Sequence, residues 1–321
     1  MCQYIFIHHA ILEAIVYGDS AVLLKEFPEQ YRKLQASECS IINDEFDKIG
    51  RVRPPAQASS GPDIVPLSIQ CKSEVENFSA HYVDGYWDKK VFIVSSCPAP
   101  DNLEHFWQMI WQQQCSHVVN LSPRDARLFK YLPESGKELI IGDLRLTVDN
   151  LMYMTGYIAR IITITTEGSE PLTIRHMQYQ DWLPKHLPRV DKFVKFLSEC
   201  LREVESSERA GRPILIHDGG TLGPAGVFTT LLYCFQRFGK ERLVDLLQAA
   251  NGLYIQCPGL VHSLQYYAYC YDCLQEYSTK LLKENPEPPI YENIASFRGR
   301  LQPSPEPIEK QLPALNEYVI L

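Results

Sequence analysis

A glycine-rich segment at residues 213–228 holds the residue types that could do chemistry. It reads PILIHDGGTLGPAGVF, a short apolar run followed by a loop and the start of a helical pattern. A loop of this kind can hold phosphate on backbone N–H groups at the N-terminus of the helix. Asp218 opposes that use because it adds an anion, and Pro224 removes one backbone N–H group. The segment therefore predicts either a phosphate site or the remnant of one.

Cysteine pairs are a second possible source of chemistry, through metal binding. Cys270 and Cys273 form a C-x-x-C pair in a helical pattern, and no second pair lies at the spacing of a zinc site. The ten cysteines stand mostly in apolar runs, which favours free thiols in a reducing compartment over a disulfide framework. We predict no metal site and no cofactor.

The composition limits the classes of function. The chain has 321 residues, of which 45% are hydrophobic and 22% charged, so it can fold around a large core. Its formal net charge of -8 disfavours nucleic acid and anionic membrane surfaces as partners. No run approaches the roughly 20 apolar residues of a membrane helix, and the apolar first residues lack the basic flank of a signal peptide. We therefore expect a globular chain without direct membrane insertion.

The elements that must position the loop alternate between helical and strand-like patterns. Helical spacing of apolar residues recurs over 3–17, 20–36, 103–114, 190–206, 226–238, 242–253 and 261–282. Short apolar or alternating runs predict strands at 78–83, 91–95, 116–121 and 214–217, and an antiparallel group over 139–179. The fold class that follows is α/β: a twisted mixed β-sheet flanked by helices, with the loop at a strand-to-helix turn.

An internal similarity bears on the domain organisation. Residues 3–14, QYIFIHHAILEA, resemble residues 266–277, YYAYCYDCLQEY, with Tyr4 opposite Tyr267. The pattern of the last helix thus occurs at the first residues. It predicts that residues 1–19 correspond to the C-terminal end of a preceding copy of the same domain. Chance similarity between two amphipathic helices is the alternative.

A change of composition marks the other end of the main domain, which we assign to residues 20–283. Residues 284–321 are rich in Pro and Glu and show no periodicity, so they predict a disordered tail. Within this tail, Tyr291 lies in the segment PPIYEN. Phosphorylation there would suit adaptor domains that bind phosphotyrosine through arginine, and an unmodified tail is the alternative.

Seven motifs, in order along the chain, resemble the protein tyrosine phosphatase family. They are DIVPL from residue 63, SAHYVDGY from 79, CPAPDNLEHFWQMIW from 97, YLPE from 131, RHMQYQDWLPKHLP from 175, PILIHDGGTLGPAG from 213 and VDLLQAANGLYIQCPGLV from 244. The chain most resembles the second, membrane-distal domain of receptor-type tyrosine phosphatases. The resemblance covers about residues 20–283. It implies a protein tyrosine phosphatase-like α/β fold in which the glycine-rich segment is the phosphate loop.

The resemblance also implies a reaction for which this chain lacks the residues. The family transfers a phosphoryl group to a cysteine thiolate and binds the phosphate with an arginine. Asp218 stands at the position of that cysteine, and Pro224 at the position of the arginine. The degenerate phosphate loop comprises His217, Asp218, Gly219, Gly220, Thr221, Leu222, Gly223 and Pro224. From the residues alone, Asp218 can also be a helix cap and His217 a hydrogen-bonded core histidine.

The acid loop that the resemblance implies is degenerate as well. The family reads Trp-Pro-Asp, and its aspartic acid protonates the leaving group. Here Trp182 is kept, but Pro184 stands at the position of the acid. Asp181 lies on the other side of Trp182, so we expect it not to reach a leaving group.

The recognition loop departs from the family pattern in two places. Gly61 replaces the aromatic wall against which a substrate ring stacks, and Ser68 replaces an aspartate that grips the peptide backbone. His262 stands at the position of a glutamine that orients the attacking water. The resemblance therefore implies loss of substrate recognition along with loss of chemistry.

The function that the resemblance implies is regulation or protein docking within receptor signalling, without catalysis. The partners would be the neighbouring active phosphatase domain or a second receptor copy, and adaptor proteins through the tail. The domain would lie at the cytoplasmic face of the plasma membrane, or in the cytoplasm if the chain is free-standing. Two alternatives stay open: an atypical phosphatase that uses another nucleophile, and a module that binds phosphotyrosine without hydrolysing it.

Overall fold

The described part of this chain contains ten strands, which form two sheets. The computed structural model describes residues 2–37, 39–51, 65, 78–122, 131–134, 136–183, 186–206, 211–220 and 222–284. In chain order the strands are β1 (Val22–Leu23), β2 (Ala80–Val83), β3 (Phe92–Ser95), β4 (His117–Asn120), β5 (Glu138–Ile141), β6 (Leu144–Tyr153), β7 (Tyr157–Thr165), β8 (Leu172–Tyr179), β9 (Ile214–His217) and β10 (Leu243–Val244).

The larger sheet is mixed and has the order β2-β3-β9-β4-β8-β7-β6-β5. Its four inner strands, β3, β9, β4 and β8, run parallel to one another, whereas the outer pairs are antiparallel. Strands β5 to β8 follow one another along the chain as a meander, which is the antiparallel group predicted over 139–179. The strand β9 lies between β3 and β4, so the residues that follow it emerge near the middle of the sheet.

Eight helices accompany the sheets in the described part of the chain. They are α1 (Cys2–Tyr17), α2 (Phe27–Ala36), α3 (Ser40–Phe46), α4 (Leu103–Gln112), α5 (Val190–Val204), α6 (Gly223–Glu241), α7 (Leu246–Gln256) and α8 (Leu264–Glu284). Their order with the strands confirms the predicted α/β class, with a mixed sheet flanked by helices.

Two hydrophobic cores lie on opposite faces of the larger sheet, and β9 contributes to both. Ile214 and Ile216 belong to the core formed with α5, α6 and α8, whereas Leu215 belongs to the core formed with α4. This alternation follows from the period of two residues along a strand. Because both faces are covered, β9 is a continuous apolar run, as expected for a buried parallel strand.

Helix α1 presents an exposed apolar face. Ile7, Ile11 and Ile15 follow one another at a spacing of four residues, and their exposed fractions are 53%, 52% and 74%. The C-terminal end of the helix is covered instead, because Tyr17 packs with Leu247 of α7. The exposed row is therefore an unpartnered stripe among the residues that the structure describes.

Two helix predictions were wrong at their N-terminal ends. Residues 22–23 and 243–244 do not continue helices but pair with each other as the antiparallel strands β1 and β10. The following helices begin only at Phe27 and Leu246. A two-residue strand carries no periodic pattern, so its pairing depends on a partner more than 200 residues away and could not be found from local spacing.

The ends of the described chain bear on two further expectations. Glu284 is the last residue of α8, and residues 285–321, which include almost all of the predicted tail, lie outside the described residues. No helix among the described residues combines the length and apolarity that a membrane crossing needs.

Candidate functional site

The glycine-rich loop begins at the carboxyl end of β9. His217, the last residue of that strand, is in register with Ser95 of β3 and Asn120 of β4. The loop then leads into α6, so it is a strand-to-helix turn as the sequence predicts. Carboxyl ends of parallel strands are the usual location of ligand sites in α/β sheets, and the loop stands at that edge.

The Asp218 carboxylate binds the backbone of its own loop. Its Oδ1 atom accepts hydrogen bonds from the N–H groups of Gly220 at 2.8 Å and Leu222 at 3.2 Å. Its Oδ2 atom accepts one from the N–H of Ala225 at 3.2 Å. The side chain has no exposed surface. These backbone donors therefore point at an internal anion.

Helix α6 depends on that carboxylate for a cap. Its N-cap residue, Leu222, is in the left-handed region with φ 58° and has no side chain that can accept a hydrogen bond. Pro224 has no N–H group, so it leaves no donor to satisfy at that position. Asp218 accepts from Ala225 in the first turn, where the helix dipole also favours a negative charge. The capping role that the residue types allowed for Asp218 is thus present.

His217 lies in a buried hydrogen-bonded cluster. Its Nε2 atom is 2.8 Å from the Tyr131 hydroxyl, and the same hydroxyl is 2.7 Å from His176 Nε2. Asn120 Nδ2 donates to that hydroxyl at 3.2 Å, and Arg160 donates to His176 Nδ1 at 3.4 Å. Burial lowers the pKa of His217 to about 3, and burial with the nearby Arg160 charge lowers the pKa of His176 well below its usual range. Both histidines are therefore neutral.

The donors and acceptors of this cluster determine its tautomers. A guanidinium only donates, so His176 Nδ1 accepts from Arg160 and the proton of His176 sits on Nε2. That proton goes to the Tyr131 oxygen, and the Tyr131 hydroxyl proton goes to His217 Nε2. His217 then carries its own proton on Nδ1, an atom without a hydrogen-bond partner among the described residues. Its acceptor nitrogen is occupied, so His217 is a core histidine and is not placed to act as a base.

A cysteine near the loop is not activated as a nucleophile. The Cys97 thiol lies 3.9 Å from the Ser122 hydroxyl. Burial raises its pKa, and the negative charge of Asp218 raises it further. Reactive cysteines need the opposite, a positive environment that stabilises the thiolate.

The degenerate acid loop packs into the core at Trp182. Its ring is buried against Phe193 of α5, with a centroid distance of 5.1 Å. Asp181 forms an ion pair with Lys192 of α5 at 2.9 Å. That Asp181 does not take over the acid role stays a prediction.

Tyr266 is a residue of the site that sequence reasoning missed. Its ring lies against the first residue of α6: a Cβ atom at Gly223 would be 2.2 Å from Tyr266 Cε2. The His262 ring, at the position of the water-orienting glutamine, is 5.8 Å away, and His262 Nδ1 contacts the Gly259 carbonyl at 2.7 Å. Gly223 was part of the predicted phosphate loop, but nothing in the sequence identified the ring that packs on it.

Several of the predicted site residues cannot be placed. Thr221 of the phosphate loop, Pro184 of the acid loop, Gly61 and Ser68 of the recognition loop, and the tail residue Tyr291 all lie outside the described residues. Their roles stay predictions. The remaining loop residues, His217, Asp218, Gly219, Gly220, Leu222, Gly223 and Pro224, lie together at the turn between β9 and α6.

Comparison with known proteins agrees with this arrangement. Residues 64–276 match the family model described as protein-tyrosine phosphatase. Receptor-type tyrosine-protein phosphatase alpha of Homo sapiens is 25% identical over 304 residues, which cover 86% of this chain and 38% of that protein. Tyrosine-protein phosphatase Lar of Drosophila melanogaster is 28% identical over 313 residues, 86% of this chain and 15% of that protein. The chain thus spans less than half the length of these relatives.

Proposed function

Because the chain belongs to the protein-tyrosine phosphatase family, we propose that it is a non-catalytic member of that family that acts in regulation or docking. The observation that supports this proposal most directly is the Asp218 carboxylate on the backbone N–H groups of the phosphate loop. A phosphate would need those same donors. In this proposal an internal anion takes the place of the external one.

The missing groups argue in the same direction. The reaction of the family needs a thiolate nucleophile, and a carboxylate at position 218 removes the covalent route through sulfur. Losing a transition-state donor or a general acid costs about a hundredfold to ten-thousandfold each, although such losses do not simply add. Pro224 cannot donate to phosphate as an arginine would. With Pro184 at the position of the general acid, three groups that the reaction needs are replaced in one site.

Electrostatic repulsion adds to them. A phosphate seated in the loop would bring its charge close to the Asp218 carboxylate. Two like unit charges 4 Å apart repel by about 4 kcal/mol at an effective dielectric constant near 20, and a phosphate dianion would roughly double that. The two charges would also compete for one set of N–H donors. We therefore expect neither phosphotyrosine nor a simple oxyanion to bind in the loop.

The test is direct and uses the whole chain. Hydrolysis of p-nitrophenyl phosphate is measured for the wild type and for Asp218→Asn, and tungstate binding is measured by calorimetry. We expect no turnover above buffer and no saturable binding in the wild type. Turnover that disappears in Asp218→Asn would support an atypical phosphatase instead. Saturable binding of a phosphotyrosine peptide without turnover would support a binding module.

The docking role has support from helix α1. In the alignment that pairs Tyr4 with Tyr267, the exposed Ile7, Ile11 and Ile15 correspond to three α8 residues that are almost fully buried, Cys270, Leu274 and Ser278. We therefore propose that the exposed stripe packs against the core of a neighbouring phosphatase domain, in the same receptor or in a second copy. The receptor-type names of the relatives favour a location at the cytoplasmic face of a membrane.

Sedimentation with a separately purified phosphatase domain tests the docking role. We expect association with the wild-type chain and none with Ile7→Glu combined with Ile15→Glu. The matched control is Ile140→Glu, because Ile140 is an equally exposed isoleucine on the edge strand β5. Equal loss in the control would show that the effect is a general one of added charge.

A further inference from the structure

Tyr266 stands between the phosphate loop and the solvent. It is the third residue of α8, and its ring packs on Gly223, where any side chain would collide with it. The Trp182 ring of the degenerate acid loop lies 6.2 Å away, and the His262 ring lies 5.8 Å away. One aromatic ring therefore joins the three segments that surround the loop.

The base of the loop is closed to solvent. Asp218 has no exposed surface, although it occupies the position at which a ligand would have to arrive. Tyr266 is close enough to feel its charge: burial raises the pKa of the Tyr266 hydroxyl, and Asp218 raises it further. A side chain or a loop segment that covers position 218 must therefore move before a reagent can reach it.

A small cleft of about 40 Å³ lies beside Tyr266. It is lined by Trp182, Leu183, His186, Leu187, Gln265 and Tyr266. None of the described residues of the phosphate loop lines it. The Tyr266 ring therefore contacts Gly223 of the loop and also lines this cleft.

We propose that Tyr266 is an internal plug that closes the phosphate loop. In addition to the unfavourable charge of Asp218, the Tyr266 ring then blocks the access of a ligand to the loop. This inference deepens the proposed function and rests on it. It implies that replacing Asp218 alone leaves the loop shut. A reagent would reach position 218 only when Tyr266 swings away or is removed.

Alkylation of a thiol placed in the loop measures this access without any need for catalysis. The background variant is Asp218→Cys, treated with iodoacetamide under native conditions, with the modification rate at position 218 followed by peptide mass spectrometry. Exposed Cys39 and buried Cys234 serve as internal references for full and for no accessibility. We compare this background with the same background carrying Tyr266→Ala.

We expect Tyr266→Ala to raise the rate at position 218 about tenfold or more, as for a site open in less than a tenth of the molecules. The matched control is Tyr254→Ala, because Tyr254 covers Gly50 in the same way, with Cε1 2.4 Å from a Cβ built there. A rate within twofold of the background, or an equal rise in the control, would overturn the proposal. Tyr266→Phe keeps the ring and should leave the rate unchanged.

Unfolding of the alanine variant and failure of the proposed function can each be recognised separately. If Cys234 becomes reactive in the alanine variant, the fold has opened, and Tyr266→Gln then replaces it as the deciding variant. Hydrolysis or tungstate binding by the wild type would defeat the proposed function whatever the alkylation rates are. A null effect of Tyr266 on alkylation would defeat only the plug.

Discussion

Replacing Asp218 by alanine should destabilise the domain by more than an ordinary helix-cap mutation does. Among the described residues, the N–H groups of Gly220, Leu222 and Ala225 donate to this side chain, and it is fully buried. Hydrogen bonds to a charged group contribute about 1.5–3 kcal/mol each. Burying the carboxylate offsets part of this by several kcal/mol, so we expect a net loss of about 3 kcal/mol.

Asp218→Asn is a smaller change than Asp218→Ala, because it keeps the shape of the side chain and removes its charge. Its one oxygen can still accept from Gly220 and Leu222. The amide group then faces the N–H of Ala225, so two donors oppose each other at the start of α6. We expect a loss of about 2 kcal/mol, smaller than for alanine.

Urea unfolding followed by circular dichroism measures both variants. The comparison variant is Asp245→Ala, since Asp245 caps α7 by accepting from Gln248 N at 3.0 Å and Ser20 Oγ at 2.8 Å. An ordinary cap of this kind contributes about 1 kcal/mol. If Asp218→Ala lost no more stability than Asp245→Ala, the carboxylate would not be what anchors the loop, and the argument for an internal anion would fail.

Three further predictions test the core around the loop. Because burial lowers the pKa of His217 to about 3 from 6.5, the unfolded chain binds the extra proton first as the pH falls, and the free energy of unfolding should drop by about 2 kcal/mol between pH 6.5 and about pH 4.5. Urea unfolding at several pH values should show a flatter slope for His217→Asn. Tyr131→Phe should lower the free energy of unfolding in urea by about 2–3 kcal/mol, since it leaves buried histidine and amide groups without their hydrogen-bond partner. Tyr179→Phe should be near neutral, because the described residues offer that hydroxyl no hydrogen-bond partner. Gly226→Ala should lower the free energy of unfolding, measured by thermal unfolding, by about 3 kcal/mol, since its Cβ would lie 1.5 Å from a backbone carbonyl oxygen. Gly239 on the same helix has open space around it, so Gly239→Ala should raise that free energy by up to about 1 kcal/mol.

Much of the fold could be predicted because its signals are local. The helices α4 and α5 and the strand β9 follow from the spacing of their own apolar residues, and their bounds lie within two residues of the predicted ones. The short pair β1 and β10 could not be predicted, since two residues carry no period and their partners are far apart in sequence. The same limit applies to the start of α7, where Asp245 rather than an apolar pattern marks the N-cap.

The candidate site divides in the same way. Residue identities at positions 218 and 224 were sufficient to predict that the family's nucleophile and phosphate cation are replaced. They could not show where the Asp218 carboxylate points, because an acid in a loop can face solvent, a metal or its own backbone. The hydrogen-bonding partner of His217 was equally open, since Tyr131 lies 86 residues away.

What the sequence by itself determined was the family, the α/β class and the list of residues present at each position of the degenerate loop, because these depend on composition, periodicity and order along the chain. Only the tertiary structure decided that the carboxylate turns inward onto the N–H groups of Gly220, Leu222 and Ala225, and that the Tyr266 ring covers Gly223. The position of the ring depends on a contact between α8 and the start of α6, which are distant in sequence. The direction of the carboxylate depends on the conformation of its own loop, which residue types alone do not specify. Side-chain direction in a packed interior is set by such neighbours, and no local pattern specifies them.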